Sequence, residues 1–398
     1  MSKFKKNFRS FWLPILAVFV LLATLGLSLY RVYLKLQGVQ SLNTNLTQQI
    51  ADSTETIKNI QAEVDRLKNE DLRQTNIEVK KEIEDLKISF KSAVGAYEEI
   101  LGLEERGSKI ASEESKFSSI LNFLAKDDLP SAQKTITDLI ADINKEKTRL
   151  SSLAVAPIPA NVPEIIEAPS SGFRKQKVTI GDVSYLVSII SADLNSTKVI
   201  VDTASDGTCT GNCPVLSLAA YAGRSGAWAG INGSYFCPET YPSCAEKKNS
   251  FDTLLMNKNK VYFNSDNNVY STVPVAIFSG NSARFIGQSS GWGRDTGVDA
   301  VIANRPLLVL DGNNMFGGGS DDKEAARSNR SFLGSSGNMA YIGVVHNASV
   351  AESAKVLQAM GIKNAINLDS GGSTALWSSG YKVGPGRNLP NVVLFVKK

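Results

Sequence analysis

The chain has 398 residues, of which 42% are hydrophobic and 21% charged, and its formal net charge is +4. This composition excludes a mostly disordered chain, because there are enough apolar side chains to build a core of ordinary size. The small net charge gives no basic surface of the kind that binds nucleic acid, so we expect no nucleic-acid partner.

An uncharged apolar segment near the N-terminus predicts a transmembrane helix over residues 11–30. About 20 apolar residues are enough to cross the hydrocarbon core of a membrane. Four basic residues precede the segment: Lys3, Lys5, Lys6 and Arg9. The positive-inside rule therefore predicts a cytoplasmic tail over residues 1–10 and an extracytoplasmic location for the rest of the chain. A cleavable signal peptide is the alternative, and it would export the same part of the chain.

Residues 36–153 are rich in charged and polar side chains, with apolar side chains three and four positions apart. This spacing predicts a coiled-coil or helical spacer, made of one long helix followed by two shorter ones. The spacer either joins copies into a homo-oligomer or recruits a partner, or it is a stalk that sets the distance from the membrane. Four prolines in residues 154–171 predict an extended linker that ends the spacer.

Residues 172–398 consist of short β-branched segments separated by Gly, Asn, Asp and Ser, which predicts a series of strands. Apolar spacing predicts two helices in this part, near residues 215–221 and 350–360. We therefore expect an α+β fold, in which a mixed sheet domain with few helices follows the transmembrane helix and the spacer.

All four cysteines lie in this domain as two close pairs, Cys209 with Cys213 and Cys237 with Cys244. The even number and the short separations predict two disulfides, formed in an oxidising compartment. Free buried thiols and a zinc site are the alternatives. The spacings differ from those of common zinc ribbons, and His346 is the only histidine in the sequence, so we expect no metal.

Three segments contain polar residues that a strand alone does not require, and the first and third of them also contain glycine turns. The first, AGINGSYFCPE, contains Asn232, Gly233 and Ser234. The second, ARSNRSFLG, contains Arg330, and the third, NAINLDSGGSTALW, has Asp369 at the end of a predicted strand. Glycine turns let backbone N–H groups approach an anionic ligand closely. These segments are therefore candidates for a binding or catalytic site.

In this order the three segments resemble the phosphodiester glycosidase family, over about residues 178–398. The resemblance implies hydrolysis of a sugar-1-phosphodiester, without a cofactor, at a site built from the family's motifs. The implied site residues are Asn232, Gly233, Ser234, Arg330, Asp369, Ser370, Gly371, Gly372, Ser373, Arg387 and Asn391. Ser234 and Ser370 stand where the family pattern has glycine, which changes the fine shape of the expected pocket.

The implied reaction needs a carboxylate near the sugar and a cation near the phosphate. We expect Asp369 to be the carboxylate, Arg330 to clamp the phosphate and Asn232 to position the substrate. Each of the three also has a purely structural interpretation: Asp369 as a turn cap, Asn232 as a turn residue, and Arg330 as one half of a surface ion pair.

A second carboxylate would activate water or form an intermediate. The candidates are Glu239, Asp252 and Asp311, which their spacing does not rank. His346 is expected to be an ordinary residue at the end of a strand. Trp228, Trp292 and Trp377 are expected in the core rather than stacked on sugar rings.

These observations predict a membrane-anchored, extracytoplasmic hydrolase that acts on sugar-phosphodiester bonds of envelope glycans. The alternative is a non-catalytic glycan-binding or scaffold protein of the cell envelope, in which the same pocket holds a polymer.

Overall fold

The structure, a computed structural model, describes residues 5–69, 71–105, 108–152, 158–266, 271–319 and 321–398. Contacts between backbone positions divide the chain into two units, residues 1–84 and 85–398. The four helices that come first in the described chain are α1 (Lys5–Asn69), α2 (Asp71–Glu104), α3 (Ala111–Leu124) and α4 (Leu129–Ser152). The predicted long helical region followed by two shorter helices is present.

In the first unit, apolar side chains of α1 are exposed, among them Phe19, Ile57 and Ile60. One helical stretch among the described residues, Val18–Glu104, contains a window long and apolar enough to cross a membrane, and none of that window is buried. A signal sequence passes the same test of length and composition. The coiled coil stays a prediction, and residues 1–4 of the predicted cytoplasmic tail lie outside the described residues.

The second unit begins with a helical cluster formed by the C-terminal part of α2 together with α3 and α4. Its core contains Ile100 and Leu103 of α2, Ile120 of α3 and Leu139 of α4. Asp128 caps the start of α4, because its carboxylate accepts the Ser131 N–H. We call residues 85–152 the helical segment.

The proline-rich residues that follow lie along the first strand of the sheet domain. The Ile165 N–H donates to the carbonyl of Lys177 at 3.0 Å, and the Gln176 side chain donates to the carbonyls of Ile165 and Glu167. The described part of the predicted linker, residues 158–171, is thus bound to the domain by hydrogen bonds. Residues 154–157 lie outside the described residues.

The sheet domain is built from short strands and two further helices, with one short helix α6 (Asp322–Ala325) before β12. In chain order the elements are β1 (Gly172–Ile180), β2 (Val183–Asp193), β3 (Thr197–Thr203), α5 (Leu218–Ser225), β4 (Ala229–Asn232), β5 (Leu255–Met256), β6 (Tyr262–Phe263), β7 (Val275–Ser279), β8 (Ser282–Ile286), β9 (Ala300–Ala303), β10 (Leu307–Leu310), β11 (Asn313–Asn314), β12 (Ser328–Ser336), β13 (Met339–Ala348), α7 (Val350–Ala359), β14 (Asn364–Asn367), β15 (Leu376–Trp377), β16 (Tyr381–Val383) and β17 (Asn391–Lys397).

These strands form three sheets, ordered β1-β2-β13-β12-β14-β10-β11, β16-β15-β4-β17-β3 and β6-β5-β9-β7-β8. Neighbouring strands are antiparallel in all three. The predicted α+β class is confirmed, but the single mixed sheet was wrong. Hairpins such as β12–β13 join neighbouring strands directly, and a hairpin connection makes its two strands antiparallel.

The main core lies between the three sheets and contains one face of each. Ile342 of the first sheet, Phe395 of the second and Phe278 of the third belong to this one cluster. Helix α7 covers the outer face of the first sheet with Ala354 and Leu357. Its start is fixed by a capping box, in which Ser349 and Glu352 bond each other's backbone N–H groups.

Both predicted disulfides are confirmed, Cys209–Cys213 and Cys237–Cys244. They close short loops on either side of β4, and the second loop lies beside the cleft described below.

Candidate functional site

A cleft of about 390 Å³ opens at the end of β14. It is lined by the end of α2, the turn after β4, the segment from Asp321 to Arg330 and the turn after β14, together with the single residues Arg305 and Arg387. The three motif segments predicted from the sequence therefore meet at one place, and the helical segment supplies an additional wall.

Asp369 lies on the cleft two residues after β14 ends. Its N–H donates to the carbonyl of Gly233 at 2.9 Å, and its carboxylate accepts the Ser370 N–H at 2.9 Å. Burial raises the pKa of Asp369 to about 7, although hydrogen bonds from Ser373 and Ser370 act in the opposite direction. At neutral pH this carboxyl group is therefore present in both protonation states, which suits a general acid or base.

Asn232 is fully buried and joins the three motif segments. Its Nδ2 donates to the Asp369 carbonyl at 2.6 Å. Its Oδ1 accepts the Ser331 hydroxyl at 2.8 Å and the Ala375 N–H at 3.1 Å. The side chain is thus occupied by protein groups, and it fixes the positions of Asp369 and of the residue next to Arg330.

Gly233, Ser234 and Asn391 form a second buried contact behind the cleft. The Asn391 side chain accepts the Ser234 N–H at 2.9 Å and donates to the Ser234 hydroxyl at 3.0 Å. A Cβ atom at Gly233 would lie 1.8 Å from the Asn391 Oδ1, so this position requires glycine. The serine at 234, which departs from the family pattern, is accommodated by bonds to Asn391.

Arg330 lines the cleft but is only 5% exposed. Its Nε donates to the Ala348 carbonyl at 3.0 Å, and its Nη2 donates to the carbonyls of Lys323, at 2.6 Å, and Ala326. These bonds hold the segment that precedes β12 against the sheet. The expected role as phosphate clamp stays a prediction.

Arg387 lies on the other side of the Asp369 turn and also lines the cleft, as do Ser370, Gly371 and Ser373. Its N–H donates to the Gly372 carbonyl at 2.9 Å, which attaches its backbone to that turn. Its guanidinium lies 5.7 Å from the Tyr241 ring centre. Burial lowers the pKa of Arg387 to about 10, so it is cationic at neutral pH.

Sequence reasoning missed a buried amide network that supports the cleft from below. Asn304 accepts the Tyr235 N–H at 3.0 Å and donates to the Asn367 carbonyl at 2.9 Å. Asn367 in turn donates to the Tyr235 hydroxyl at 2.7 Å. Tyr235 lines the cleft, and burial raises the pKa of its hydroxyl above the ordinary value. Tyr235 and Asn367 belong to two of the motif segments, so the sequence contained an indication of their place near the site. No motif surrounds Asn304.

The helical segment supplies cleft residues that sequence reasoning did not assign to the site: Glu98, Glu99, Gly102 and Glu105. Glu98 accepts the Ser243 N–H at 2.8 Å, within the loop closed by Cys237–Cys244. No local pattern distinguishes these glutamates from the many other charged residues of the predicted spacer.

The three carboxylates considered as partners of Asp369, Glu239, Asp252 and Asp311, are not among the cleft-lining residues. The carboxylates that line the cleft with Asp369 are Glu98, Glu99, Glu105, Asp321 and Glu324. They come from the end of α2 and from the segment before β12, which are distant from Asp369 in the sequence. Within the described residues, no group of three or more His, Cys, Asp or Glu side chains is arranged to hold a metal ion.

The predicted structural roles of His346 and the tryptophans agree with their surroundings. His346 contacts the Ser188 hydroxyl at 2.9 Å and the Asn329 side chain at 3.1 Å. Trp228 and Trp377 pack on aromatic neighbours, and Trp292 donates to the Tyr262 hydroxyl at 3.0 Å. None of the four lines the cleft.

Comparison with known proteins confirms the family resemblance of the C-terminal part of the chain. Residues 225–396 match the model of a family described as phosphodiester glycosidase. No curated protein matches the chain.

Several solved structures, including the following three, are similar at low sequence identity. A hypothetical protein from Synechocystis is 13% identical over 57% of this chain and 62% of its own, with a TM-score of 0.41, so the match spans less than two thirds of that protein. The catalytic domain of zebrafish N-acetylglucosamine-1-phosphodiester alpha-N-acetylglucosaminidase, auto-inhibited by its pro-peptide, is 16% identical over 60% and 87%, with a TM-score of 0.45. An exported protein from Burkholderia pseudomallei is 11% identical over 54% and 74%, with a TM-score of 0.36.

Proposed function

We propose, from the match of residues 225–396 to the phosphodiester glycosidase family, that this protein hydrolyses the bond between a sugar and its 1-phosphodiester. The observation that carries the proposal is one cleft lined both by the Asp369 carboxyl group, whose pKa burial raises to about 7, and by three arginines, Arg305, Arg330 and Arg387. A carboxyl group for the sugar and cations for the phosphate are the groups this reaction needs.

In the proposed reaction, water adds its oxygen to the anomeric carbon, and the bond from that carbon to the phosphate oxygen breaks. The electron pair of this bond leaves with the phosphate monoester, and one proton of the water is released. Asp369 faces the anomeric carbon, where it stabilises the positive charge that grows there or takes the proton from water. Asn232 is a positioning residue, because it bonds the Asp369 backbone.

The test is release of free sugar from a synthetic sugar-1-phosphodiester by the purified protein. Asp369→Asn should lower kcat by about 10³-fold while the affinity for the phosphodiester changes little. Asp311→Asn is the matched control, because Asp311 is exposed outside the cleft and its φ of 50° is one that asparagine tolerates. A protein that binds the phosphodiester tightly and releases no sugar would instead be a glycan-binding or scaffold protein.

The proposed location is outside the cytoplasm, with residues 11–30 as the membrane anchor and the glycans of the cell envelope as the source of substrate. The apolar window within Val18–Glu104 and the two disulfides support this proposal. Protease added to intact cells should digest the C-terminal domain and spare the cytoplasmic tail. Full protection of the domain before the membrane is opened would refute the topology.

The homo-oligomer predicted from the spacer is also a proposal, supported by the exposed apolar side chains Ile57, Ile60 and Leu67 along α1. Light scattering measures the molecular mass of the purified protein and of a variant that carries Asn at these three positions. A homo-oligomer should have a larger mass than the variant. Equal masses for both proteins would leave the spacer as a stalk only.

A further inference from the structure

The end of helix α2 extends into the cleft, and Glu105 follows its last residue directly. The Glu105 carboxylate forms an ion pair with the Arg387 guanidinium. Its Oε2 also accepts the N–H of Gly372 at 3.2 Å. Both side chains are partly exposed, 27% for Glu105 and 22% for Arg387. A carboxylate from the helical segment is therefore held by a cation and a backbone donor inside the cleft.

The surroundings of this carboxylate are shaped to admit an anion. A Cβ atom at Gly372 would lie 2.5 Å from Nη2 of Arg387 and 2.5 Å from Cδ of Glu105. The missing side chain at Gly372 therefore leaves room for both groups. Gly372 is three residues after Asp369, so an anion held here lies beside the turn that carries the candidate catalytic carboxyl group.

Carboxylate and phosphate oxygens accept hydrogen bonds from a guanidinium in the same way, with charge assistance on both sides. The donors that hold Glu105 are thus the donors that a phosphodiester needs. Arg305 and Arg330 also line the cleft, and Arg330 directs its Nε and Nη2 to the carbonyls of Ala348, Lys323 and Ala326. Arg387 is the arginine whose guanidinium holds an anionic group within the cleft.

We propose that Arg387 and the Gly372 N–H form the subsite for the substrate's phosphate, and that the Glu105 carboxylate occupies this subsite in the unliganded protein. This inference rests on the proposed function for the identity of the ligand. It makes Glu105 a competitor of anionic ligands, since the phosphate must displace its carboxylate to reach Arg387. The helical segment then sets the affinity for the substrate in addition to any role as a spacer.

Binding of a phosphate anion to the full-length protein tests the subsite without any need for turnover. Glu105→Gln keeps the shape of the side chain but removes the charge, so the affinity for dimethyl phosphate and for inorganic phosphate should rise about tenfold or more, a difference of roughly 1.4 kcal/mol. Glu104→Gln is the matched control, because Glu104, the last residue of α2, precedes Glu105 directly, is exposed and does not line the cleft. Isothermal titration calorimetry measures the affinity of the wild type, Glu105→Gln and Glu104→Gln for both phosphate ligands.

Two further variants keep the result interpretable. Glu105→Ala should raise the affinity like Glu105→Gln, which covers the case that one variant folds poorly. Arg387→Gln combined with Glu105→Gln should abolish the gain. Unchanged or weaker phosphate binding in both Glu105 variants would overturn the proposal, as would a gain that persists without the Arg387 guanidinium.

Kinetics with the sugar-1-phosphodiester separate this proposal from the proposed function. If the Glu105 carboxylate competes with the substrate's phosphate, Glu105→Gln should have a lower KM and an unchanged kcat. A fall in kcat at constant KM would instead make Glu105 a catalytic group and refute the inference. Tighter phosphate binding with no sugar release from any variant would support the subsite and refute the hydrolase. Sugar release by the wild type, with unchanged phosphate binding and unchanged KM in the Glu105 variants, would support the hydrolase and refute the subsite.

Discussion

The Nδ2 amide of Asn232 donates to the main-chain carbonyl of Asp369 at 2.6 Å, across 137 positions in the sequence. This bond fixes the turn after β14 against the end of β4. The other atom of the amide, Oδ1, bonds Ser331 and the Ala375 N–H, so a single buried side chain sets the relative positions of three chain segments. The cleft therefore depends on a residue that does not line it.

Replacing Asn232 by alanine should destabilise the protein by about 3 kcal/mol, because three buried groups lose their partner at once. Ser331→Ala removes one of these bonds and should cost about 1 kcal/mol. Midpoints of thermal unfolding measure both, and sugar release should fall in the same order. Equal midpoints for the two variants would contradict the role of Asn232 as the partner of three groups.

Gly233→Ala should prevent normal folding or destabilise by more than about 3 kcal/mol, because its Cβ would lie 1.8 Å from Oδ1 of Asn391 and 2.7 Å from the Asn391 carbonyl oxygen. Gly223→Ala is the control in helix α5, where no heavy atom lies within 4 Å of the added carbon. It should stabilise by about 0.5–1 kcal/mol. A Gly233→Ala protein with the wild-type unfolding midpoint would contradict the geometry of this turn.

Asp369 should make the folded state less stable as the pH rises from about 4 to 7. Burial raises the pKa of its carboxyl group from 3.8 to about 7, so between these values the folded protein retains a proton that the unfolded chain has released. Asp369→Asn removes this cost and should be more stable than the wild type at pH 8, by roughly 2 to 4 kcal/mol, but not at pH 4. Midpoints of thermal unfolding of the wild type and the variant at pH 4 and pH 8 measure this difference. A difference in stability that is the same at both pH values would refute the raised pKa of Asp369.

His346 should make the folded state more stable as the pH rises, which is the opposite of the effect of Asp369. Burial, followed by the charge of Lys175, lowers the pKa of its imidazole from 6.5 to about 4. Its contribution is complete above pH 6.5 and is lost as the pH falls towards 4, because only the unfolded chain takes up the proton in that range. His346→Gln should flatten the loss of stability between pH 7 and 5 by about 2 kcal/mol. A slope unchanged by the substitution would count against a buried neutral imidazole.

The segments of Asn232, Arg330 and Asp369 meet at one place, as the family resemblance implied from the order of their motifs. The sequence did not predict where the individual side chains point. Asn232 and Asn391 bond other protein groups behind the cleft, and Arg330 bonds backbone carbonyls. Such orientations depend on neighbours that are distant in sequence.

The contribution of the helical segment was missed for a related reason. Apolar spacing in residues 36–153 reports that a helix has a buried face, but not which surface covers it. Glu98 and Glu105 look like ordinary solvated charges until the loop at Ser243 and the turn at Gly372 are placed beside them. The same limit applies to Asn304, whose two bonds connect the end of β14 with the turn after β4, which no local pattern pairs.

The wall that α2 contributes to the cleft also determines how a recombinant protein should be cut. A fragment that begins at residue 172, where the sheet domain starts, would lose Glu98, Glu99 and Glu105 and leave an artificially open groove. Inhibitor screening or substrate profiling on such a fragment would describe a pocket that the intact chain does not have. A shortened protein for these purposes should retain everything from residue 85 onward.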